Sequence, residues 1–231
     1  LVLITLALLA VIALLTPLVM AGSRPSLYLF EFVPGLSFAF EIEPLGMLFA
    51  LVASFLWVIT TIYTLGYLTP NNASNQLRFH ICFCLALSCT IGIAFAGNIL
   101  TLFFFYEVLT LVTYPLVTHS GTEAARRGGR NYLGILLSTS VLLFLLAIAW
   151  TWLEAGSLDF RDGGILKGKV AEPIISILLV LYIFGIGKSA IMPFHGWLPS
   201  AMVAPAPVSA LLHAVAVVKA GVFTVLKIII Y

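Results

Sequence analysis

The stretch LYIFGIGKSAIMPFHGWLP, residues 181–199, places a lysine and a proline inside an otherwise apolar run. Apolar runs of similar length recur along the chain, and a helix needs about 20 apolar residues to cross roughly 30 Å of hydrocarbon. The sequence therefore predicts an all-α polytopic membrane protein with about seven transmembrane helices in a single transmembrane domain, 1–231. The predicted spans are 1–20, 44–68, 79–97, 99–119, 132–153, 174–195 and 206–231.

Composition supports this fold class and excludes several others. The chain has 231 residues, of which 62% are hydrophobic and 9% charged, against roughly 25% charged in an average soluble domain. A net charge of +2 without a long basic run excludes nucleic acid as a partner. Short polar loops are predicted to connect the spans, at 22–43, 69–78, 119–130, 154–173 and 199–207. A tight turn is predicted at Gly97-Asn98.

A break is predicted in the sixth span, close to Lys188. Gly185 and Gly187 precede this lysine, and Pro193 follows it. Proline has no N–H to donate, and its ring clashes with the carbonyl group one turn earlier. Irregular backbone at membrane depth is tolerated only where it is buried in protein or lines a wet cavity, and broken helices mark ion pathways in transporters. A lysine that extends to the membrane interface is the alternative interpretation.

Ionisable residues far from the predicted helix ends are candidate proton carriers. They are Glu107, Lys188, His213 and Lys219. A charge at the centre of a membrane helix costs about 3 kcal/mol on insertion scales, so such groups are expected to pair, titrate or face water. A lysine suits titration because it can lose its proton, whereas an arginine cannot. Structural ion pairs, or for His213 a neutral ring bonded to a helix carbonyl, are the alternatives.

Other residues are weaker candidates for a relay or a gate. Tyr114 follows Glu107 by seven residues and returns to nearly the same helix face. His195 follows Lys188 by the same spacing, but the break makes that alignment uncertain. Lys227 lies further along the last span and is either another relay station or an interfacial anchor. Three cysteines within one apolar run, Cys82, Cys84 and Cys89, are interpreted as small core residues rather than as metal ligands.

Three segments resemble a known membrane family. They are EIEPLGMLFALVASFLWVITTIYTLGYL (41–68), LTLFFFYEVLTLVTYPLVTH (100–119) and FGIGKSAIMPFHGWLPSAMVAPAPVSALLHAVAVVKAGVF (184–223). They resemble the antiporter-like subunits of respiratory complex I, membrane-bound hydrogenases and Mrp-type multisubunit cation/proton antiporters. The stretches 188–199 and 213–223 are most similar to the D-type member of the Mrp antiporter.

The resemblance implies both a fold and a relay. The family fold has about fourteen helices in two inverted five-helix repeats, of which this sequence would cover the first repeat and flanking helices as a fragment. The glutamate of the fifth family helix matches Glu107, and the lysine of the broken seventh helix matches Lys188. The eighth helix supplies a histidine or lysine that matches His213 and Lys219.

A proton-translocating subunit of a multisubunit Na⁺/H⁺ antiporter is the function that this reasoning predicts. Its expected partners are other membrane subunits, protons and Na⁺, and its expected location is the inner (plasma) membrane of a prokaryote. No cofactor or metal is expected, because the chain contains no dinucleotide fingerprint, iron–sulfur cysteine cluster or haem motif. The alternatives are a proton-pumping subunit of a redox complex, such as a respiratory NADH:quinone oxidoreductase, and a non-transporting scaffold subunit.

Overall fold

The computed structural model describes residues 1–33, 36–68 and 75–231, apart from the side chains of residues 32–33 and 211–214. Helices dominate this part of the chain, as predicted. The helices are α1 (Val2–Met20), α2 (Pro44–Leu68), α3 (Gln76–Ala94), α4 (Ile99–Val117), α5 (Glu123–Thr139), α6 (Leu145–Ala155), α7 (Glu172–Gly185), α8 (Trp197–Ala201), α9 (Ala206–Ala214) and α10 (Val217–Ile230). The strands are β1 (Ser26–Val33) and β2 (Leu36–Glu41).

Five helical segments of the described chain are long and apolar enough to cross a membrane. They are Val2–Met20, Pro44–Leu68, Gln76–Ala94, Ile99–Val117 and Glu123–Ala155. The remaining two predicted spans are each divided. Helix α7 ends at Gly185 and is followed by short 3₁₀ turns, and the last span is interrupted between α9 and α10. The second interruption was not predicted, because Val215 and Ala216 carry no glycine or proline signal.

The fifth span begins earlier than predicted. Helix α5 starts at Glu123, where the Thr122 hydroxyl caps it by accepting the N–H of Ala125 at 3.2 Å. It continues through a π-helical turn, Ser140–Phe144, into α6, and the whole segment is 33 residues long. The prediction of a loop through residue 130 is therefore wrong from Glu123 onward. Residues 123–130 are polar and rich in glycine, so the sequence did not indicate a helix there. In the structure they form the first turns of α5, whose buried face packs against the bundle.

Within residues 22–43, predicted as a polar loop, the described residues contain two paired strands, β1 and β2, which we call the hairpin. Strands β1 and β2 pair antiparallel, with Leu27 opposite Phe40 and Tyr28 opposite Ala39. The hairpin is joined to the α3–α4 turn, because Glu41 donates its N–H to Phe95 at 2.8 Å and Gly97 donates to Ala39 at 2.9 Å. We call this end of the bundle the hairpin end. A two-stranded element beside the helix ends is compatible with a helical membrane fold, because the spanning segments themselves remain helical.

The predicted tight turn at Gly97-Asn98 is confirmed, and Asn98 fixes it. The Asn98 side chain, 1% exposed, accepts the N–H of Thr101 at 2.7 Å as the N-cap of α4. Its amide group also donates to the Ser37 carbonyl at 2.7 Å. One side chain thus joins the hairpin to the start of α4.

Replacement of Asn98 should destabilise this turn. Asn98→Ala removes both the cap and the bond to the hairpin, so we expect a loss of about 2 kcal/mol and a lower thermal unfolding midpoint of the purified protein. Asn98→Asp keeps the cap acceptor and should lose less. Equal midpoints for the wild type and the alanine variant would contradict this assignment.

Candidate functional site

Lys188 is completely buried against helix α4. Its ammonium donates to the Tyr106 carbonyl at 2.7 Å and to the Thr110 hydroxyl at 2.5 Å. The same nitrogen lies 3.3 Å from the centroid of the Tyr106 ring, and the Lys188 backbone N–H donates to the Tyr106 hydroxyl at 3.1 Å. Uncharged acceptors and a π-face, which attracts cations, therefore surround the lysine nitrogen.

Glu107 is the next residue along α4, and its side chain is half-buried. One carboxylate oxygen, Oε1, is buried and has no hydrogen-bond partner among the described residues. In the described chain, ion pairs within 4.0 Å join Arg24 to Glu41 and Asp162, and Lys227 to Glu43. Lys188 contacts α4, the helix that carries Glu107, but the two residues form no ion pair within 4.0 Å in the described chain. The Glu107 Oε1 is therefore available to a proton or a water molecule.

The helix break positions Lys188. Helix α7 ends at Gly185, and Lys188 lies in the 3₁₀ turn Gly187–Ser189. The Gly187 carbonyl is satisfied by the indole N–H of Trp197 at 2.9 Å. Ala190 follows with φ 55°, in the left-handed region. The predicted break near Lys188 is confirmed, but it begins at Gly185 rather than at Pro193, which lies on the exposed surface.

Close packing of glycines holds the broken segment in place. A Cβ at Gly185 would lie 2.4 Å from the Phe144 nitrogen, in the π-helical turn. A Cβ at Gly187 would lie 2.3 Å from the Thr139 hydroxyl, and one at Gly221 would lie 2.4 Å from the Ser189 nitrogen. The turn that carries Lys188 is therefore enclosed between the π-helical turn and α10.

A column of polar side chains continues along α4 from Lys188. Tyr106, Thr110 and Thr113 follow the helical spacing i, i+4, i+7 and are all buried. The Thr113 hydroxyl lies 2.6 Å from the Tyr132 hydroxyl on α5, and the Tyr132 ring packs edge-on against Trp197. Sequence reasoning missed Thr110, Thr113 and Tyr132, although the spacing of polar residues on one helix face was the available signal.

Comparison with known proteins assigns the family. Residues 96–231, which include Glu107 and Lys188, match the family model described as NADH:quinone oxidoreductase/Mrp antiporter, transmembrane. The chain belongs to this family. The predicted resemblance to the superfamily of antiporter-like subunits is therefore confirmed.

Curated relatives include subunits of both antiporters and redox complexes. The chain is 30% identical over 228 residues to the probable K(+)/H(+) antiporter A/B subunit of Rhizobium meliloti, covering 94% of this chain and 22% of that protein. It is 30% identical over 190 residues to the putative antiporter subunit mnhA2 of Staphylococcus haemolyticus, covering 81% and 24%. It is also 30% identical over 200 residues to the NADH-quinone oxidoreductase L subunit of Campylobacter jejuni, covering 86% and 33%.

Two solved membrane complexes share the fold. The Mrp complex from Dietzia sp. aligns with a TM-score of 0.79 at 24% identity, over 96% of this chain and 27% of the matched chain. The archaeal membrane-bound sulfane sulfur reductase, a respiratory membrane complex, aligns with a TM-score of 0.80 at 25% identity, over 97% and 46%. The chain spans 22–33% of the length of the three curated relatives described above. Its structure corresponds to part of a larger antiporter-like fold.

Three other predicted relay residues, Lys219, His195 and Tyr114, make no hydrogen bond to Lys188 within the described chain. The Lys219 side chain is exposed and lines an apolar cleft of about 250 Å³ between α2 and α10. His195 lies in the exposed turn Phe194–Gly196, and the Tyr114 ring packs beside Gly129 of α5. His213 lies in α9, but its side chain falls outside the described residues.

Lys227 belongs to a second buried site at the hairpin end. Its ammonium lies 2.7 Å from Glu43 Oε1, and the Lys227 and Glu43 side chains are 1% and 4% exposed. Sequence reasoning singled out Lys227 but placed Glu43 in a loop, because nothing in its local sequence indicates a partner on the last helix of the chain.

Proposed function

We propose that the chain is the proton-translocating part of a subunit of a multisubunit monovalent cation/proton antiporter of the Mrp type. Protons pass between Glu107 and Lys188 and continue towards His213 and Lys219. The observation that carries this proposal is the fully buried Lys188 ammonium, which packs against α4 close to the half-buried Glu107, whose Oε1 has no hydrogen-bond partner among the described residues. Membership of the antiporter family supports it.

The chemistry of the site suits a switchable proton carrier. In this structure the Lys188 ammonium is stabilised by the Tyr106 carbonyl and the Thr110 hydroxyl rather than by a carboxylate. Movement of Glu107 to within about 4 Å of the ammonium would add about 4 kcal/mol of attraction at an effective dielectric constant of 20. The distance between the two groups can therefore control whether the lysine keeps its proton.

The onward stations are part of the same proposal. Lys219 borders the cleft between α2 and α10, so it is positioned to exchange protons with water or protein that fills this cleft. Pro193 and His195 follow Lys188 in the broken segment after α7. A change in the direction of this segment would alter the contacts of the Lys188 side chain. Tyr114 provides a hydroxyl further along α4, and we assign it and His195 auxiliary roles.

The transported cation, the partners and the location are also proposals. One relative is named as the A/B subunit of a K(+)/H(+) antiporter, whereas the sequence alone favoured Na⁺ and a D-type subunit. We therefore propose a monovalent cation, with Na⁺ and K⁺ as the two candidates, and an A-type or D-type subunit. Other membrane subunits in the plasma membrane of a prokaryote are the expected partners, and neither nucleic acid nor a cofactor is involved.

A proton-pumping subunit of a redox complex is the second candidate. The relative named as the L subunit of NADH-quinone oxidoreductase and the likeness to a respiratory membrane complex favour it. The same Glu107–Lys188 chemistry would serve there, driven by redox subunits instead of a cation gradient. A scaffold without transport is the third candidate.

The Glu107 carboxyl provides the direct test. We expect Glu107→Gln in the full-length protein to lower proton exchange in everted vesicles by at least about tenfold, because an amide cannot carry the proton. The pH-dye signal would be measured after addition of Na⁺, K⁺ or NADH, so that the driving force identifies the transporter class.

The matched control for this test is Glu154→Gln. Glu154 is exposed and accepts only the Trp150 indole N–H at 3.1 Å among its contacts in the described chain. Its variant should exchange protons at the wild-type rate. An assembled Glu107→Gln complex with wild-type exchange would instead support the scaffold interpretation.

A further inference from the structure

A buried ion pair at the hairpin end has no role in the relay described above. Lys227 and Glu43 lie 2.7 Å apart, and Lys227 also donates to the Ala96 carbonyl at 2.6 Å. The Tyr231 hydroxyl donates to the other Glu43 oxygen. These groups come from α10, the start of α2 and the α3–α4 turn. Because desolvation offsets most of the attraction in a buried pair, such a pair is weak evidence of a stabilising role.

A cavity lies next to the pair and is separated from it by two aromatic rings. The cavity has a volume of about 520 Å³ and lies between α7, α10 and residues 160–167. Phe160 and Tyr231 line it. The centroid of the Phe160 ring lies 4.3 Å from the Lys227 nitrogen, and the two rings are 5.3 Å apart. Phe160 and Tyr231 therefore contact both the buried pair and the cavity.

Helix α10 connects this pair to Lys188. Gly221 packs directly against the Lys188 backbone. Thr224 and Lys227 follow at successive three-residue steps on the buried face of α10. Gly221 and Lys227 are therefore about 9 Å apart along the helix axis. The buried side chains of α10 between these two positions are Phe223 and Thr224.

We propose that Glu43 and Lys227 form the terminal proton-exchange site of this pathway, and that Phe160 and Tyr231 close it off from the cavity at the hairpin end. The inference rests on the proposed function. In the transfer step, an N–H bond of the Lys227 ammonium breaks and an O–H bond forms on Glu43, which leaves a neutral amine and a neutral acid.

The cycle closes without any other reactant. Glu43 releases its proton to water in the cavity when Tyr231 moves aside, and it becomes a carboxylate again. The neutral Lys227 amine accepts the next proton from the relay and returns to the ammonium form. Proton uptake follows the same steps in reverse, so the site serves either direction of transport.

The test uses a neutral double variant of the full-length protein in its complex. Glu43→Gln combined with Lys227→Gln removes both charges and both titratable groups, but it keeps polar groups of similar size. We expect an assembled complex whose proton exchange falls at least about tenfold, because neither amide can carry a proton. Lys169→Gln is the matched control, since Lys169 is exposed at the same end and donates to the Ala155 carbonyl.

A second variant keeps the proposal testable if the double variant does not assemble. Phe160→Ala removes one ring of the closure, and we expect a passive proton leak at least about twice that of the wild type in vesicles carrying an imposed pH gradient. An unchanged leak would overturn the proposed closure. Wild-type exchange by the assembled double variant would overturn the terminal site.

The outcomes also separate this inference from the proposed function. If Glu107→Gln loses exchange while the double variant keeps it, only the terminal site is wrong. If both variants exchange protons at the wild-type rate, the transport function itself is wrong.

Discussion

Lys188→Met in the full-length protein should abolish proton exchange, with a loss of at least about 100-fold in vesicles. Methionine has a similar length and is apolar, so it fills the buried space without the cost of an unpaired charge. The Tyr106 carbonyl and the Thr110 hydroxyl lose a donor, but α4 retains its own backbone hydrogen bonds. We therefore expect the complex to assemble while transport is lost.

Lys188→Arg distinguishes titration from simple positive charge. Arginine keeps the charge but does not release its proton at any physiological pH, so it should also fail to transport. Lys169→Met controls for removal of a lysine elsewhere and should be neutral. Wild-type exchange by the arginine variant would show that Lys188 acts as a fixed charge and would remove it from the relay.

Gly221→Leu should prevent assembly of the native bundle. A Cβ at this position would lie 2.4 Å from the Ser189 nitrogen and 2.5 Å from the Lys188 carbonyl carbon. Both atoms belong to the backbone of the broken segment, which is itself enclosed, so the strain cannot be relieved by rotation of a side chain. We expect a loss of at least about 3 kcal/mol, measured as a much lower thermal midpoint or as absence of the complex after purification.

Gly66→Leu is the matched control for this prediction. Gly66 is an exposed residue of α2, and a Cβ there would meet no described atom within 4 Å. Leucine also has a higher helix propensity than glycine, so the control should be as stable as the wild type or slightly more stable. Similar midpoints for the two variants would contradict the close approach of α10 to Lys188.

Much of the bundle was predictable because membrane helices follow from local composition. Long apolar runs fix most of the spans, and the glycines around Lys188 indicate the break. The start of α5 was not predictable from hydropathy, because Thr122 caps a polar helix before the apolar run begins. The hairpin segment contains two stretches rich in aliphatic and aromatic residues, 26–33 and 36–41, on either side of Pro34-Gly35, and both are too short to be predicted as membrane spans.

The candidate site was less predictable, because its contacts join distant segments. Sequence alone indicates that Glu107 and Lys188 are costly in a membrane, but not that Lys188 bonds to the backbone of α4. Lys219 lies in the predicted span, yet its orientation towards the α2–α10 cleft depends on how α10 packs. Glu43 gains its importance only from Lys227, because no local pattern links two residues so far apart in the chain.

The length of the continuous helix from α5 to α6 also constrains how deeply the bundle sits in the bilayer. Its 33 residues extend about 50 Å, well beyond the roughly 30 Å of hydrocarbon. The excess lies at the amino-terminal end, where Arg126, Arg127 and Arg130 are exposed. Arginine side chains near a membrane surface interact favourably with anionic lipid headgroups, so we expect these three arginines to lie at the headgroup level.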